Sequence, residues 1–393
     1  MKKILCLALV FAMLFCPMSI YAQGSDAVDA ASDIYTPTLS EDGELKCKSV
    51  ILMEESTGKV LYEQNADEAL PPASVTKIMT LLLVMEAIES GKIKLDEMVT
   101  TSEKAASMGG SQIFLEVGES MSVEDMLKSV IIASANDAAC ALAEHVCGSE
   151  SEFVAQMNKK AQDLGMKNTN FENTNGLDDT SVNHVTSARD IAIMSRELIS
   201  HEKILEYSSI WMDTVRGGSS GLTNTNRLVR FYKGCTGLKT GSTDKAGFCI
   251  SATAKRGNVS LICVVMGAPT RDIRNNIATT LLDRGFATFE VYKSEGKTLS
   301  GIPVLGGTEK YASASYPSVS FLCDKGKSGA VKMQVSLNEN IVAPLSAGDV
   351  VGKVTYTVDG KILGESEITL DCDVERIGYF ELLWRGISRF FFK

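Results

Sequence analysis

Ser74 precedes Lys77 by three residues in Pro71-Pro72-Ala73-Ser74-Val75-Thr76-Lys77, and an apolar run from Ile78 to Ile88 follows directly. Residues three apart are neighbours on a helix face, so the spacing predicts a hydroxyl and an amine side by side in a helix's first turn. A serine beside an amine is one way to build an activated nucleophile. Spacing alone does not select it, because Ser-x-x-Lys also occurs at Ser56, Ser200, Ser242 and Ser294. Context separates Ser74: two prolines that cannot continue a helix stand before it, and a helix-length apolar segment stands after it. The structural alternative is a helix-capping Ser74 and a surface Lys77.

Two further polar clusters follow. Ser134-Ala135-Asn136 lies between two helical patterns. One opens at Ser122-x-x-Asp125, which resembles a capping box, and the other follows Asn136 through Ala139, Leu142, Ala143 and Val146 to a stop at Gly148. Lys239-Thr240-Gly241, then Ser242 and Thr243, stand on a predicted strand before a turn at Asp244-Lys245. Each tripeptide has decoys: Ser181-Val182-Asn183, Ser336-Leu337-Asn338 and Lys327-Ser328-Gly329. Their order and their separation along the chain make the conjunction specific. His145, His184 and His201 are the only histidines and lack metal-ligand spacing. The one Gly-x-Ser-x-Gly match, Gly217 to Gly221, is not followed by an apolar helical pattern and so is no nucleophile elbow, which argues against a Ser-His-Asp hydrolase; His184 reads as structural.

The elements that must position these residues are legible in outline. Ser49 to Glu54, a turn at Ser56-Thr57-Gly58-Lys59, and Val60 to Glu63 predict a strand–turn–strand unit. Helical patterns dominate from Ser74 to about His201. Strands return at Phe248 to Ala254 and Val259 to Met266, and a helix over roughly Ile273 to Phe286 follows. Strand, helices, then strands, with both ends in one sheet, predict an α+β fold: an α/β sandwich with an antiparallel sheet and a helical subdomain. The expected catalytic domain covers residues 45–289. From about Glu290, short alternating segments between Gly- and Asp-rich turns predict a small all-β domain, a β-sandwich over residues 290–373.

The 393 residues carry a net charge of −10 and no extended basic stripe, which excludes a nucleic-acid binder. Lys2 and Lys3 precede an apolar stretch from Ile4 to Phe15, and Ile20-Tyr21-Ala22 offers a cleavage site before Gln23. Residues 1–22 are therefore expected to be an export signal, followed by a flexible acidic lead-in over residues 23–44. The mature chain keeps eight cysteines, and sequence leaves their pairing open. In the tail, residues 374–393, Phe380, Leu383, Trp384, Ile387 and Phe391 share one helical face, and Arg385, Arg389 and Lys393 form a stripe on the other. That pattern predicts a helix lying in a membrane interface. Docking of this helix on its own domain is the alternative.

The chain resembles the low-molecular-mass penicillin-binding proteins, the serine-type D-alanyl-D-alanine carboxypeptidases of the peptidase S11 family, which share a fold with class A β-lactamases. The resemblance runs from about Lys48 to Phe286. Beyond the three clusters it includes Ile131 to Ala139, Phe153-Val154 with Met157-Asn158, Leu164-Gly165-Met166, His184 with Ser187 to Asp190, and Gly237 to Gly241. It implies a catalytic Ser74 that forms an acyl-enzyme, Lys77 as its base, and Ser134 as a proton carrier. Lys77 can be a base only if burial and a second cation, for which Lys239 is the candidate, depress its pKa. Asn136 would bind a substrate peptide bond. The N–H groups of Ser74 and Ser242 would form an oxyanion hole beside Gly241. Thr240, Thr243 and Arg274, with Arg271 as the alternative arginine, would hold the carboxylate of the departing D-alanine. The implied substrate is the peptidoglycan stem peptide, the implied inhibitors are β-lactams, and the implied location is the outer face of the cytoplasmic membrane. No cofactor or metal is expected. A serine β-lactamase is the nearest rival, although Glu172, Asp178 and Asp179 do not reproduce that family's glutamate-leucine-asparagine loop. A catalytically inactive wall-binding scaffold is the other.

Overall fold

The computed structural model of the chain describes residues 45–177 and 181–391. The expected leader (1–22), the acidic lead-in (23–44), Asp178 and Asp179, and the side chains of Arg389, Phe391 and Lys393 lie outside the described residues.

The chain begins with a hairpin of β1 (Ser49–Glu54) and β2 (Val60–Gln64), then a 3-10 turn at Ala73–Thr76 that runs into α1 (Lys77–Glu89). Next come β3 (Met98–Thr100), α2 (Glu103–Ala106), β4 (Ser120–Ser122), α3 (Val123–Ile132), α4 (Asn136–Cys147), α5 (Glu150–Asp163), α6 (Ala188–Ser200) and α7 (Glu202–Ser208). A small hairpin, β5 (Met212–Val215) and β6 (Ser220–Thr223), and the single turn α8 (Leu228–Phe231) lead into β7 (Cys235–Thr243). Strands β8 (Gly247–Arg256) and β9 (Val259–Ala268) and helix α9 (Arg271–Thr288) complete this part. The main sheet is antiparallel in the order β2-β1-β9-β8-β7, so the first and last strands of the segment meet in one sheet as expected.

Both faces of this sheet are covered, which explains why its strands read as continuous apolar runs. Successive strand residues point to opposite faces. On β1 and β9, Ile51, Met53, Ile262, Val264 and Met266 join the core under the helices. Their neighbours Val50, Leu52, Leu261, Cys263 and Val265 pack with Ile277, Leu281 and Leu282 of α9 on the other side. Helix α1 is buried almost all round, from Lys77 and Ile78 to Ala87. It is the axis of the helical subdomain, in contact with α3, α4, α5 and α6.

Helix starts follow the sequence signals. Ser122, Ser149, Ser187 and Thr270 each accept a hydrogen bond from the N–H three residues on, and Gly148 ends α4 at φ 81°. Two expectations need correction. Ser74 sits in the 3-10 turn and not in the first α-turn, because Ala73 adopts φ 49° and the α-helix starts only at Lys77. The cap of α4 is Ala135, with Asn136 as the first helical residue. The hairpins β3–β4 and β5–β6 were not read from sequence, since three- and four-residue strands are too short to show alternation.

The remaining strands are β10 (Phe289–Ser294), β11 (Lys297–Pro303), β12 (Tyr311–Tyr316), β13 (Val319–Asp324), β14 (Lys332–Leu337), β15 (Val350–Val358) and β16 (Lys361–Leu370). They form the small all-β domain: a sheet ordered β11-β12-β16-β15-β14 and a β10–β13 pair. Buried Tyr356 of β15 packs on Phe321 and Tyr292, with ring centroids 4.9 and 6.1 Å away, and so joins the two sheets. Helix α10 (Tyr379–Phe391) ends the described chain. All eight cysteines of the described residues are free thiols.

Candidate active site

The 3-10 turn carrying Ser74 is fixed from three sides. Buried His184 accepts the Glu172 N–H at Nδ1 (3.0 Å), which leaves Nε2 protonated to meet Thr76 Oγ1 at 2.8 Å. The Thr76 hydroxyl in turn donates to the Ala73 carbonyl at 2.9 Å. Burial pushes the His184 pKa down to about 4, so the ring is neutral and this relay has a defined direction. Gly176, at φ 84°, lies against the same carbonyl so closely that a Cβ there would be 1.8 Å from Ala73 O. On the third side Gly241 of β7 faces the turn, where a Cβ would stand 2.7 Å from the Ser74 nitrogen. Only glycine allows this strand to pass so near the serine backbone.

Lys77 is fully buried, and its Nζ donates to Ser74 Oγ and to the Asn175 carbonyl, both at 2.9 Å. Burial, and then the charge of Lys239, hold its pKa well below the ordinary lysine value, while Asp137 opposes them. A lysine so placed is available as a base toward the hydroxyl it touches. Lys239, also fully buried, donates to Ser134 Oγ at 2.8 Å and to the Thr240 carbonyl at 2.9 Å. Its pKa falls to about 7, through burial first and the Arg274 charge second. Ser134 is held at φ 65° in the connection between α3 and α4. Each serine of the site therefore has its own lysine, one on a helix and one on a strand.

These groups surround a cleft of about 480 Å³, whose lining includes Ser74, Ser134, Thr240, Gly241, Ser242 and Arg274. Asn136 stands beside it, 2% exposed; its Nδ2 donates to Gly109 O at 2.7 Å and its buried Oδ1 has no partner among the described residues. Arg271 and Arg274, a turn's length apart at the start of α9, both line the cleft. Arg274 is buried, with its guanidinium anchored on the Cys249 carbonyl and Asn275 Oδ1, and burial together with Arg271 lowers its pKa to about 10. Arg271 is exposed at the rim. Thr243 is not among the cleft residues; its hydroxyl accepts the Ala246 N–H in the β7–β8 turn at 3.1 Å. Glu172, weighed above as a water-positioning carboxylate, instead accepts the N–H groups of Val182 and Asn183.

Several contributors were not read from the sequence. Asn175 supplies the second acceptor for Lys77, and Asp137 binds the N–H groups of Ile113 and Leu115. Thr225 lines the cleft and accepts the Thr240 hydroxyl at 2.9 Å. Their partners lie far away in sequence, and no local pattern marks them.

Fold and site together define a serine acyl-transfer enzyme in which lysines stand where histidine and aspartate stand in other hydrolases. Comparison with known proteins agrees. Residues 36–270 match the peptidase S11 family, described as D-alanyl-D-alanine carboxypeptidase, and residues 286–376 match the C-terminal domain of penicillin-binding protein 5. The D-alanyl-D-alanine carboxypeptidase DacF of Bacillus subtilis is 45% identical over 351 residues, covering 87% of this chain and 90% of the relative. The solved penicillin-binding protein 5 of Haemophilus influenzae superposes with TM-score 0.77 at 35% identity, over 85% of this chain and 99% of that one. Penicillin-binding protein D2 of Listeria monocytogenes, solved in its ampicillin-bound form, gives TM-score 0.58 at 34% identity over 64% of this chain and 100% of its own. The chain belongs to the D-alanyl-D-alanine carboxypeptidase family, the S11 serine peptidases, and is a low-molecular-mass penicillin-binding protein.

Proposed function

We propose that the chain trims the terminal D-alanine from peptidoglycan stem pentapeptides through an acyl-enzyme on Ser74. Neutral Lys77 takes the hydroxyl proton as Ser74 Oγ attacks the carbonyl between the last two D-alanines. The resulting oxyanion receives the N–H groups of Ser74 and Ser242, a contribution of about 3 kcal/mol in comparable sites. Collapse of the tetrahedral intermediate breaks the C–N bond. The leaving amine takes the proton that Lys77 accepted, passed through Ser134, which Lys239 contacts directly, so Lys77 is neutral again. Water then attacks the acyl-serine as Lys77 accepts its proton; the ester C–O bond breaks, Lys77 returns that proton to Ser74 Oγ, and the shortened peptide leaves. Thr240 and Arg274 receive the free carboxylate of the leaving residue, which restricts cleavage to a chain end.

The observation that carries this reading is the 2.9 Å contact between Ser74 Oγ and a fully buried lysine held near a second buried lysine. β-Lactams would acylate the same serine and stay there, since Glu172 is committed to its own loop. Treatment with penicillin followed by peptide mass spectrometry should place one adduct on Ser74. An adduct elsewhere, or none, would refute the reading.

The same proposal extends to organisation. A catalytic domain over residues 45–289 is followed by a β-sandwich spacer over 290–373 and a membrane-associating tail over 374–393, in a protein exported to the outer face of the cytoplasmic membrane. No helix among the described residues is long and apolar enough to cross a membrane. In α10, Phe380, Leu383, Trp384 and Ile387 are exposed, at 84, 51, 67 and 41%. Arg385, expected on a solvated stripe, instead donates to the carbonyls of Gly307 and Thr308 and pairs with Glu381. Polar contacts thus tie the helix to the β domain while its apolar residues face outward, which suits a helix resting on a lipid surface.

A further inference from the structure

Asn136 is oriented by the loop that precedes β4. Its backbone N–H donates to Ser111 O and its Nδ2 to Gly109 O, both at 2.7 Å, which leaves Oδ1 as a buried acceptor with no partner among the described residues. Gly110, at φ 74°, lets this loop press on the amide: a Cβ there would lie 2.8 Å from Asn136 Nδ2. A few residues on, the loop is held twice more. Asp137, buried behind Asn136, takes the N–H groups of Ile113 and Leu115. From outside, Arg216 donates to the carbonyls of Ile113 (2.7 Å) and Phe114 (3.2 Å). The same guanidinium grips both oxygens of Glu119, at 2.6 and 3.0 Å.

Arg216 belongs to a different wall. It sits at φ 54° in the tight turn between β5 and β6, and the chain beyond β6 runs past Thr223, Asn224 and Thr225, which line the cleft. Ser111, on the loop that Arg216 holds, lines the same cleft. The guanidinium therefore straps together two segments that the long sequence separation of about a hundred residues would otherwise leave independent. A bidentate arginine–carboxylate pair with two further carbonyl acceptors is the geometry in which one side chain fixes a loop, and lysine cannot reproduce it.

We infer that the Arg216–Glu119 strap is a positioning device for the acyl donor, holding the loop that aims the Asn136 amide at the peptide bond preceding the scissile one. Arg216 and Glu119 act through Asn136 and do not touch the reacting atoms. The inference rests on the Ser74 acyl-enzyme reading, and its test separates the two. Benzylpenicillin carries an acylamino group equivalent to that peptide bond, whereas 6-aminopenicillanic acid has only an amine there. Second-order rates of Ser74 acylation by both compounds should be measured for the wild type, Arg216→Ala, Arg216→Lys and Glu119→Gln. The last leaves the strained turn at residue 216 untouched.

In Arg216→Ala and Glu119→Gln the benzylpenicillin rate is expected to fall about tenfold, the worth of one well-placed hydrogen bond, while the 6-aminopenicillanic acid rate stays within about threefold. Arg216→Lys should lie between wild type and Arg216→Ala. A double variant carrying Arg216→Ala and Glu119→Gln, measured in the same way, should be no worse than the single ones, because both residues serve one strap. An unchanged ratio of the two rates, or a parallel fall of both, overturns the positioning role. Absence of any Ser74 adduct in the wild type overturns the underlying functional reading instead.

Discussion

Lys77 is the residue on which the chemistry turns, and its surroundings decide its protonation. A buried ammonium needs a carboxylate partner to stay charged. The hydrogen-bond partners of Lys77 are a hydroxyl and a backbone carbonyl, with Lys239 as the nearby cation. Burial and like charge favour the neutral amine and outweigh the opposing charge of Asp137, so Lys77 can take a proton from Ser74. Lys77→Arg should therefore lower penicillin acylation by about a thousandfold, the middle of the range of general-base contributions, because a guanidinium does not give up its proton. A stopped-flow acylation assay beside a thermal melt checks this, and near-normal acylation by a folded variant would remove Lys77 as the base. At this scale the sequence was informative: Ser74, Lys77, Ser134, Lys239, Thr240 and Ser242 gather as their order and helix context indicated. Thr243 does not reach the cleft wall, because its hydroxyl closes a turn that sequence spacing cannot reveal.

At the scale of elements, the serine is positioned by a 3-10 turn, and the turn is positioned by a neutral histidine. His184 has an ordinary pKa of 6.5 when unfolded and about 4 in the fold. Between those values the unfolded chain binds the extra proton, so stability is fully present above about pH 6.5 and is lost as pH falls toward about 4. The full loss amounts to about 3 kcal/mol. Urea unfolding midpoints of the wild type should drop across this window more steeply than those of His184→Asn. Parallel pH profiles for the two proteins would show that the His184 relay is not a stabilising element. This part of the site was only half legible. His184 reads as structural in the sequence, but its partner Thr76 lies 108 residues away, and Asn175 reaches Lys77 across 98. Such contacts depend on how α1 and the loop after α5 pack, and no periodicity encodes them.

For the whole molecule, the broad architecture followed from pattern: apolar strands covered on both faces, a helix buried all round, and short alternating strands after Thr288. The tail shows where pattern reading stops. Hydrophobic periodicity predicted the helix α10, yet Arg385 left its expected stripe because two loop carbonyls of the β domain lie within its reach. Phe380, Leu383 and Trp384 stay exposed beside that docking. Removing residues 376–393 should move the enzyme from the membrane fraction to the soluble fraction without loss of penicillin binding, as labelled penicillin on fractionated cells would show. Continued membrane retention of the shortened protein would rule out the tail as the anchor.

The central claim, that Ser74 and its lysines remove one residue from a D-alanyl-D-alanine terminus, is tested most directly with a stem pentapeptide as substrate. Wild-type protein should release one D-alanine per peptide and leave a tetrapeptide, and Ser74→Ala should release none. Failure of the folded wild-type protein to release D-alanine, or equal release by Ser74→Ala, would contradict the account.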